Sequence, residues 1–218
     1  MTEPSPPPSE RFRARLLEAM IEEAPASGWT SAALAAARTR AGLSEGEALL
    51  AAPRGVIDLA DAFAARADAL MAARIAALDL PAMKVRERVR AAVLARLDAQ
   101  GEVKEAARAM SRALARRPSE AARLLWRTAD LIWRALGDVS TDGNFYSKRA
   151  ILAGVLGATY VRWFDDADPD IEPTRAFLDA RIENIMQFER FKAKRLAPLG
   201  DAAADLVARA ARARYGVS

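Results

Sequence analysis

The sequence predicts an all-α protein, and three observations lead to that prediction. Hydrophobic residues make up 52% of the 218 positions, and many of them are alanine. Glycine and proline lie between segments, and runs of alternating Val, Ile and Thr, which mark β-strands, are absent from the sequence. A chain of this length can bury the core of one ordinary domain. We therefore expect a bundle of about nine to ten helices.

Composition excludes several kinds of chemistry. The sequence contains no cysteine and no histidine. Disulfides, thiolate nucleophiles, His-ligated zinc or iron, and hydrolases with a histidine base are therefore impossible. The acidic segment 165–170 lacks the glycine and distal glutamate of an EF-hand calcium site. We accordingly predict no catalytic residue, no metal site and no cofactor.

Charge and hydropathy indicate whether the protein is soluble or membrane-bound and what charge its partner carries. Residues 1–8 contain four prolines and are predicted to be a disordered leader without a secretory signal. The longest uncharged helical run, Ala150 to Val161, is much shorter than the roughly 20 apolar residues that cross a bilayer. The sequence pI of about 9.7 suggests an anionic partner, with Lys and Arg concentrated in 84–117 and 187–218. We expect a soluble or peripherally bound protein.

Residues 9–54 have the rhythm of a helix-turn-helix module. The first predicted helix starts near Ser9 and is ended by Pro25 and Gly28. Thr30 is the predicted cap of the second helix, and the segment from Ser44 to Glu47 is a capping box for the third. In length and turn placement the module resembles the N-terminal domain of TetR-type regulators.

The third helix of this module argues against DNA binding. As the recognition helix it would face a polyanion, yet its only charged residues are Glu45 and Glu47. We therefore predict that the module is a three-helix cap packed on the rest of the protein.

Residues 55–197 are predicted to form the helical body. Its expected helices span about 56–80, 85–99, 103–117, 119–136 and 145–164, with one more after Pro173. Ser119 is the predicted cap of the fourth, whose predicted core stripe is Leu125, Ala129, Ile132 and Leu136. Leu70 and Met71 belong to the predicted buried stripe of the first helix. The basic side chains of the second and third, including Arg96, are predicted to form a solvated face. Contact with acidic lipid headgroups or an acidic protein is the alternative.

Two features of the last long helices have alternative interpretations. Gly154 and Gly157 flatten one helix, which indicates either close packing by a neighbouring helix or contact with a thin apolar ligand. We favour helix packing. Asp130 precedes Arg134 by four residues and is interpreted as an ordinary ion pair. A lipid-modifying enzyme that uses Asp130 or Asp138 is the least favoured alternative.

The C-terminal segment 198–218 is predicted to be a hinge followed by a helix. Pro198, Leu199 and Gly200 form the hinge, and the helix runs from Asp201 to Arg214. This helix is basic and weakly amphipathic, which is consistent with a membrane-surface element. A surface helix without that role remains an equal alternative.

The stretch from Trp126 to Ile182 carries a specific motif. Its residues are Trp126, Asp130, Trp133, Gly137, Asp138, Ser140, Thr141, Asp142, Asn144, Phe145, Tyr146, Ser147, Lys148, Arg149 and Ala150, followed by Asp168, Pro169, Asp170, Thr174, Phe177, Leu178, Arg181 and Ile182. This pattern resembles the coenzyme Q biosynthesis protein nine family, and the alanine- and arginine-rich composition suggests a bacterial member. At fold level the resemblance covers about residues 9 to 190.

The resemblance implies a function that the residues alone do not reveal. It implies a TetR-like fold without DNA binding, forming a homodimer, with an apolar pocket for isoprenoid lipid. The protein would be a non-catalytic accessory protein of ubiquinone biosynthesis that presents quinone intermediates to the demethoxyubiquinone hydroxylase. It would be cytoplasmic and peripheral at the inner membrane, docked through its C-terminal helix. The alternative function is a TetR-type transcriptional regulator with a lipophilic effector.

Site residues follow from the resemblance and from position. The partner-binding patch of the family falls on Asp142, Phe145 and Tyr146. The alternative is that Phe145 and Tyr146 only pack the start of the helix against the core. The sequence departs from the family pattern at Gly143, where a bulky residue is common, and at Phe145, where Trp is common. Lipid-binding residues are predicted from position on the two helices that flank the junction: Leu125, Trp126, Ala129, Leu152, Val155 and Leu156.

Overall fold

The computed structural model describes residues 6–139, 143–185 and 187, and that part of the chain is helical without any strand. The N-terminal module consists of α1 (Pro8–Ser27), α2 (Ser31–Arg40) and α3 (Glu45–Ala51). The body consists of α4 (Val56–Ala76), α5 (Val85–Asp98), α6 (Lys104–Leu114), α7 (Pro118–Ala135), α8 (Gly143–Phe164) and α9 (172–185). The all-α prediction is confirmed.

Two helix starts in the module were predicted correctly. Thr30 Oγ1 accepts a hydrogen bond from the Ala33 amide at 3.1 Å, so it caps α2. Glu47 Oε2 accepts from the Ser44 amide at 2.8 Å, and Ser44 Oγ accepts from the Glu47 amide at 3.3 Å, which completes the capping box of α3. These interactions are local, so the sequence pattern is sufficient to predict them.

Other helix boundaries differ from the prediction. Pro25 lies inside α1 and does not end it. A proline near the end of a helix removes only one backbone hydrogen bond, and the next turn still closes, since the Gly28 amide donates to the Ala24 carbonyl at 2.9 Å. Pro118, not a Ser119 cap, starts α7, because its fixed φ suits the first helical position. The helix predicted to reach Leu80 ends at Ala76, and residues 80–82 around Pro81 form a 3₁₀ turn.

The module and the body share one hydrophobic core. Leu16, Met20 and Trp29 of the module pack in the same buried cluster as Phe63 of α4 and Trp163 of α8. The Trp29 indole donates to the Ala106 carbonyl at 3.0 Å and so ties the module to α6. The first three helices are therefore fixed on the body.

A second core cluster holds α4, α5, α7, α8 and α9 together. Ile132 and Leu136 of α7 are buried in this cluster, as the predicted stripe requires. The prediction for α4 is wrong at one position, because Leu70 is exposed and the neighbouring Asp68 is buried instead. Among the described residues, no helix is long and apolar enough to cross a membrane.

Candidate functional site

A cavity of about 260 Å³ lies between α4, α5, α6, α7 and α8. Its walls are mainly apolar, and both α7 and α8 contribute to them. The apolar side chains of the lining include Ala64, Met110, Leu114, Leu124, Leu125 and Phe164. A concave apolar site with a few polar groups is the usual form of a small-molecule site.

The polar part of the lining includes Arg96, which the sequence placed on a solvated face. That prediction is wrong, because the Arg96 side chain is 3% exposed. Its Nε lies 2.9 Å from Oδ1 of Asp68, which is equally buried, and Thr128 Oγ1 donates to the same oxygen at 2.9 Å. Nε of the half-buried Arg127 lies 3.4 Å from Asp68 Oδ2. A buried charge pair is therefore held against the cavity wall.

Tyr160 and Gln100 form the second polar element of the lining. The Tyr160 hydroxyl donates to Gln100 Oε1 at 2.8 Å, and the Arg96 guanidinium lies 5.8 Å from the centre of the Tyr160 ring. Burial raises the pKa of Tyr160, so its hydroxyl stays protonated and acts as a donor.

The six predicted lipid-binding residues divide into three groups. Leu125 lines the cavity. Ala129, Leu152, Val155 and Leu156 are buried in the second core cluster. The remaining residue, Trp126, is half-buried, with its ring centre 6.2 Å from that of Tyr146. Lipid contact by any of the six remains a prediction.

The two glycines of α8 have different environments. A Cβ on Gly157 would lie 3.3 Å from Leu125 Cδ1, so Gly157 allows close approach of α7 beside the cavity. Gly154 is exposed, and a Cβ there would meet no atom of the described neighbouring residues within 4 Å. Close packing between described helices therefore accounts for Gly157 but not for Gly154.

Arg149 organises the junction between α7 and α8. Its side chain is 2% exposed, and its Nε lies 2.6 Å from Asp130 Oδ1. Its Nη1 lies 3.2 Å from Asp138 Oδ2 and 3.1 Å from the Phe145 carbonyl oxygen. The guanidinium carbon lies 3.4 Å from the centre of the Phe145 ring. One buried cation thus joins the end of α7, the connection and the start of α8.

Asp130 is confirmed as an ion-pair residue, because Arg134 Nε lies 2.8 Å from its Oδ2. Burial opposes ionisation of Asp130, but hydrogen bonds from Arg149 and Arg134 outweigh it and lower the pKa. The Arg149 contact was not predicted. Periodicity could have revealed it, since Arg149 shares a helix face with the buried residues Leu152 and Leu156.

The predicted partner-binding residues lie beside this junction. Tyr146 is 64% exposed, whereas Phe145 is half-buried against Arg149. Their ring centres are 5.1 Å apart. Asp142 lies outside the described residues. An exposed aromatic side chain packed beside a half-buried one is a suitable anchor for an interface.

The acidic segment before α9 has a structural role. Asp166 Oδ2 accepts from the Thr174 amide at 2.9 Å and from the Thr174 hydroxyl at 2.5 Å. The bond from that hydroxyl, helped by backbone amides, lowers the pKa of Asp166 despite its burial. In the part of the chain that the structure describes, no three acidic side chains are grouped to hold a metal ion.

Comparison with known proteins identifies the segment that contains the junction. The family model described as COQ9 matches residues 119–189. Residues 119–189, called the COQ9 domain below, are therefore similar to that family. The domain comprises nearly all of α7, the connection, α8 and α9, so it includes the whole Arg149 cluster and two walls of the cavity.

Curated relatives match the same part of the chain. "Ubiquinone biosynthesis protein COQ9, mitochondrial" from Rattus norvegicus is 40% identical over 79 residues, which cover 36% of this chain and 25% of that protein. The Homo sapiens protein of the same name is 37% identical over 79 residues, covering 36% and 24%. The match therefore spans about a quarter of the length of these relatives.

A solved structure extends the comparison to the fold. The TetR transcriptional regulator from Nitrosomonas europaea ATCC 19718 superposes with a TM-score of 0.64 at 20% identity, covering 79% of this chain and 97% of that one. The COQ9 domain thus lies within a TetR-like fold, as predicted.

Proposed function

We propose that this chain is a non-catalytic accessory protein of ubiquinone biosynthesis that binds an isoprenoid quinone intermediate in its cavity. The observation that carries the proposal is an apolar cavity walled by two helices of the COQ9 domain. The relatives that share this domain are named as ubiquinone biosynthesis proteins. Quinone intermediates are apolar molecules, and an apolar cavity is the site that suits them.

The size of the cavity limits how much of the ligand it holds. Ligand pockets typically measure roughly 300–1,000 Å³, and this one is about 260 Å³. It accommodates one part of a long lipid, either the ring or a few isoprene units.

The lining favours binding over catalysis. Among the described residues, no carboxylate or lysine lines the cavity. Arg96 is paired with Asp68, and the raised pKa of Tyr160 keeps its hydroxyl from acting as a base near neutral pH. A partner enzyme therefore carries out the chemical modification of the bound quinone intermediate.

The experiment that tests the proposal is native mass spectrometry of protein purified from a quinone-producing host, with extraction of the bound lipid. A polyprenyl quinone or another isoprenoid is expected. Protein that carries no isoprenoid, together with unchanged quinone levels after deletion of the gene, would contradict the proposal.

The demethoxyubiquinone hydroxylase is the proposed partner, with Asp142, Phe145 and Tyr146 as its contact. Tyr146→Ala is expected to weaken binding of purified hydroxylase by tenfold or more, roughly the effect of losing an aromatic interface anchor. Isothermal titration measures it. The matched control is Leu49→Ala on α3, since Leu49 is 63% exposed. Equal affinities for the two variants would refute this contact.

A homodimer is part of the same proposal, and the exposed Gly154 supports it. Glycine in a helix is less favourable than alanine by roughly 1 kcal/mol, and no contact among the described residues requires glycine at 154. Gly154→Leu is expected to shift the protein from dimer to monomer in sedimentation velocity. Gly46→Leu is the control, because Gly46 also has open space around its Cα. A dimer that survives Gly154→Leu excludes this face as the interface.

Peripheral contact with the inner membrane completes the proposal and rests on the family resemblance. Residues 198–218, which carry the predicted hinge and C-terminal helix, lie outside the described residues.

The surface of α3 argues against the TetR-type regulator as an alternative function. α3 contains two glutamates and no Lys or Arg, and it exposes Leu49 and Leu50 to solvent. A DNA-reading helix normally offers basic or polar side chains to the groove. Titration with DNA at low salt is expected to show no sequence-selective binding, and selective, salt-dependent binding would restore the alternative.

A further inference from the structure

We infer that the polar wall of the cavity is a subsite for a neutral oxygen acceptor, such as a ring carbonyl or methoxyl oxygen of the bound lipid. This inference rests on the proposed function and specifies which end of the ligand enters the cavity. The groups that form the subsite are the Arg96 guanidinium and the Gln100 carboxamide.

Both side chains carry a buried donor that no described residue accepts. Within residues 6–139, 143–185 and 187, Arg96 Nη1 and Gln100 Nε2 are buried and lack a hydrogen-bond partner, although both side chains line the cavity. More than nine in ten buried polar groups are hydrogen-bonded, so two unmatched donors at one wall need an explanation. A ligand oxygen in the cavity supplies the acceptor that both lack.

The remaining atoms of these side chains are held by the protein. Arg96 Nε is fixed by Asp68, and Asp68 is also held by the Thr128 hydroxyl. Gln100 Oε1 accepts from the Tyr160 hydroxyl, which leaves Nε2 as the free end of the carboxamide. Each donor is therefore held in place before a ligand arrives, and this reduces the entropy lost on binding.

The charge of the wall favours a neutral acceptor over an anionic headgroup. Arg96 is balanced by the Asp68 carboxylate, whose Oδ1 lies 2.9 Å from its Nε. A phosphate at the free donors would place a second anion close to Asp68 in a poorly solvated site, where like charges repel strongly. A carbonyl or methoxyl oxygen accepts the same hydrogen bonds without that repulsion.

The volume is compatible with a substituted ring. An apolar cavity of roughly 150 Å³ holds benzene, and about 260 Å³ leaves space for ring substituents and the first isoprene unit. The apolar wall formed by Met110, Leu114 and Leu125 then contacts the isoprene unit, while the ring oxygens lie at Arg96 and Gln100.

The test compares two probes on the full chain by isothermal titration. Ubiquinone-1 has ring oxygens and one isoprene unit, and prenylpentamethylbenzene has a similar shape without oxygen. Gln100→Leu is expected to weaken ubiquinone-1 binding roughly three- to tenfold, the effect of one hydrogen bond, and to leave the hydrocarbon unchanged or tighter. Leu114→Ala, which alters the apolar wall, is the matched control and should weaken both probes by similar factors.

Each outcome separates this inference from the proposed function. Wild-type protein that binds neither probe contradicts lipid binding itself. Wild-type protein that binds both, with Gln100→Leu changing their affinities equally, overturns the subsite and leaves lipid binding intact. Tyr160→Phe gives a second readout, since it releases the carboxamide and is expected to lower the preference for ubiquinone-1 without removing it. Unchanged thermal unfolding of each variant confirms that the fold is retained.

Discussion

Replacing Arg96 with methionine is expected to lower the free energy of unfolding by about 3–5 kcal/mol, the usual effect of breaking a buried ion pair. Arg96 and Asp68 are both 3% exposed, so the variant leaves the Asp68 carboxylate buried with the Thr128 hydroxyl and the more distant Arg127 as its remaining partners. Urea unfolding followed by circular dichroism measures the change.

The control for this prediction is Arg74→Met. Arg74 Nη1 lies 2.6 Å from Asp98 Oδ2, but both side chains are well exposed, so the expected change is below about 1 kcal/mol. The double variant Asp68→Leu/Arg96→Met is expected to lose less stability than the sum of its single variants, because it leaves neither charge unpaired. Equal losses in the Arg96 and Arg74 variants would show that the buried pair does not stabilise the fold.

Replacing Arg149 with methionine is expected to have a similar effect, about 3–5 kcal/mol. The variant leaves Asp130 and Asp138 without their shared cation and removes the guanidinium from the Phe145 ring. Because Tyr146 packs against Phe145, we also expect weaker hydroxylase binding at temperatures where the variant remains folded. Urea unfolding and the titration described for Tyr146→Ala measure the two effects.

Arg134→Met is the matched control, since Arg134 pairs with the same Asp130 from the solvent side. Its expected loss is below about 1 kcal/mol. The pKa of Asp130 is lowered in the folded protein, so its contribution is present above its ordinary value of 3.8 and disappears as the pH falls through the folded pKa. Arg149→Met should therefore lose less stability than the wild type as the pH falls below 3.8. Parallel pH profiles would contradict this role of Asp130.

Local signals in the sequence were sufficient for most of the fold. The caps at Thr30 and Ser44 and the α7 core positions Ile132 and Leu136 depend on neighbouring residues or on helical periodicity. The TetR-like arrangement followed from the family resemblance, because periodicity does not specify how helices are ordered in space.

The buried charges were missed for a physical reason. Charged residues usually remain in solvent. Arg96 was therefore predicted to be solvated, and the predicted buried stripe of α4 did not include Asp68, although each lies on the buried stripe of its own helix. Their burial depends on mutual pairing between α4 and α5 over 28 residues of sequence, which the periodicity of a single helix does not reveal. The cavity was also only partly predicted. The six lipid-binding residues were chosen from α7 and α8, and only Leu125 among them lines the cavity, because α4 to α6 form as much of its wall as α7 and α8 do.

The walls of the cavity come from both inside and outside the recognised domain. Leu124, Leu125 and Phe164 belong to the COQ9 domain, whereas Ala64 and Met110 precede it. Residues 119–189 alone would lack the cavity walls that α4 to α6 supply. In the function proposed above, substitutions on α4 to α6 therefore change ligand preference, while every residue that matches the family model stays the same.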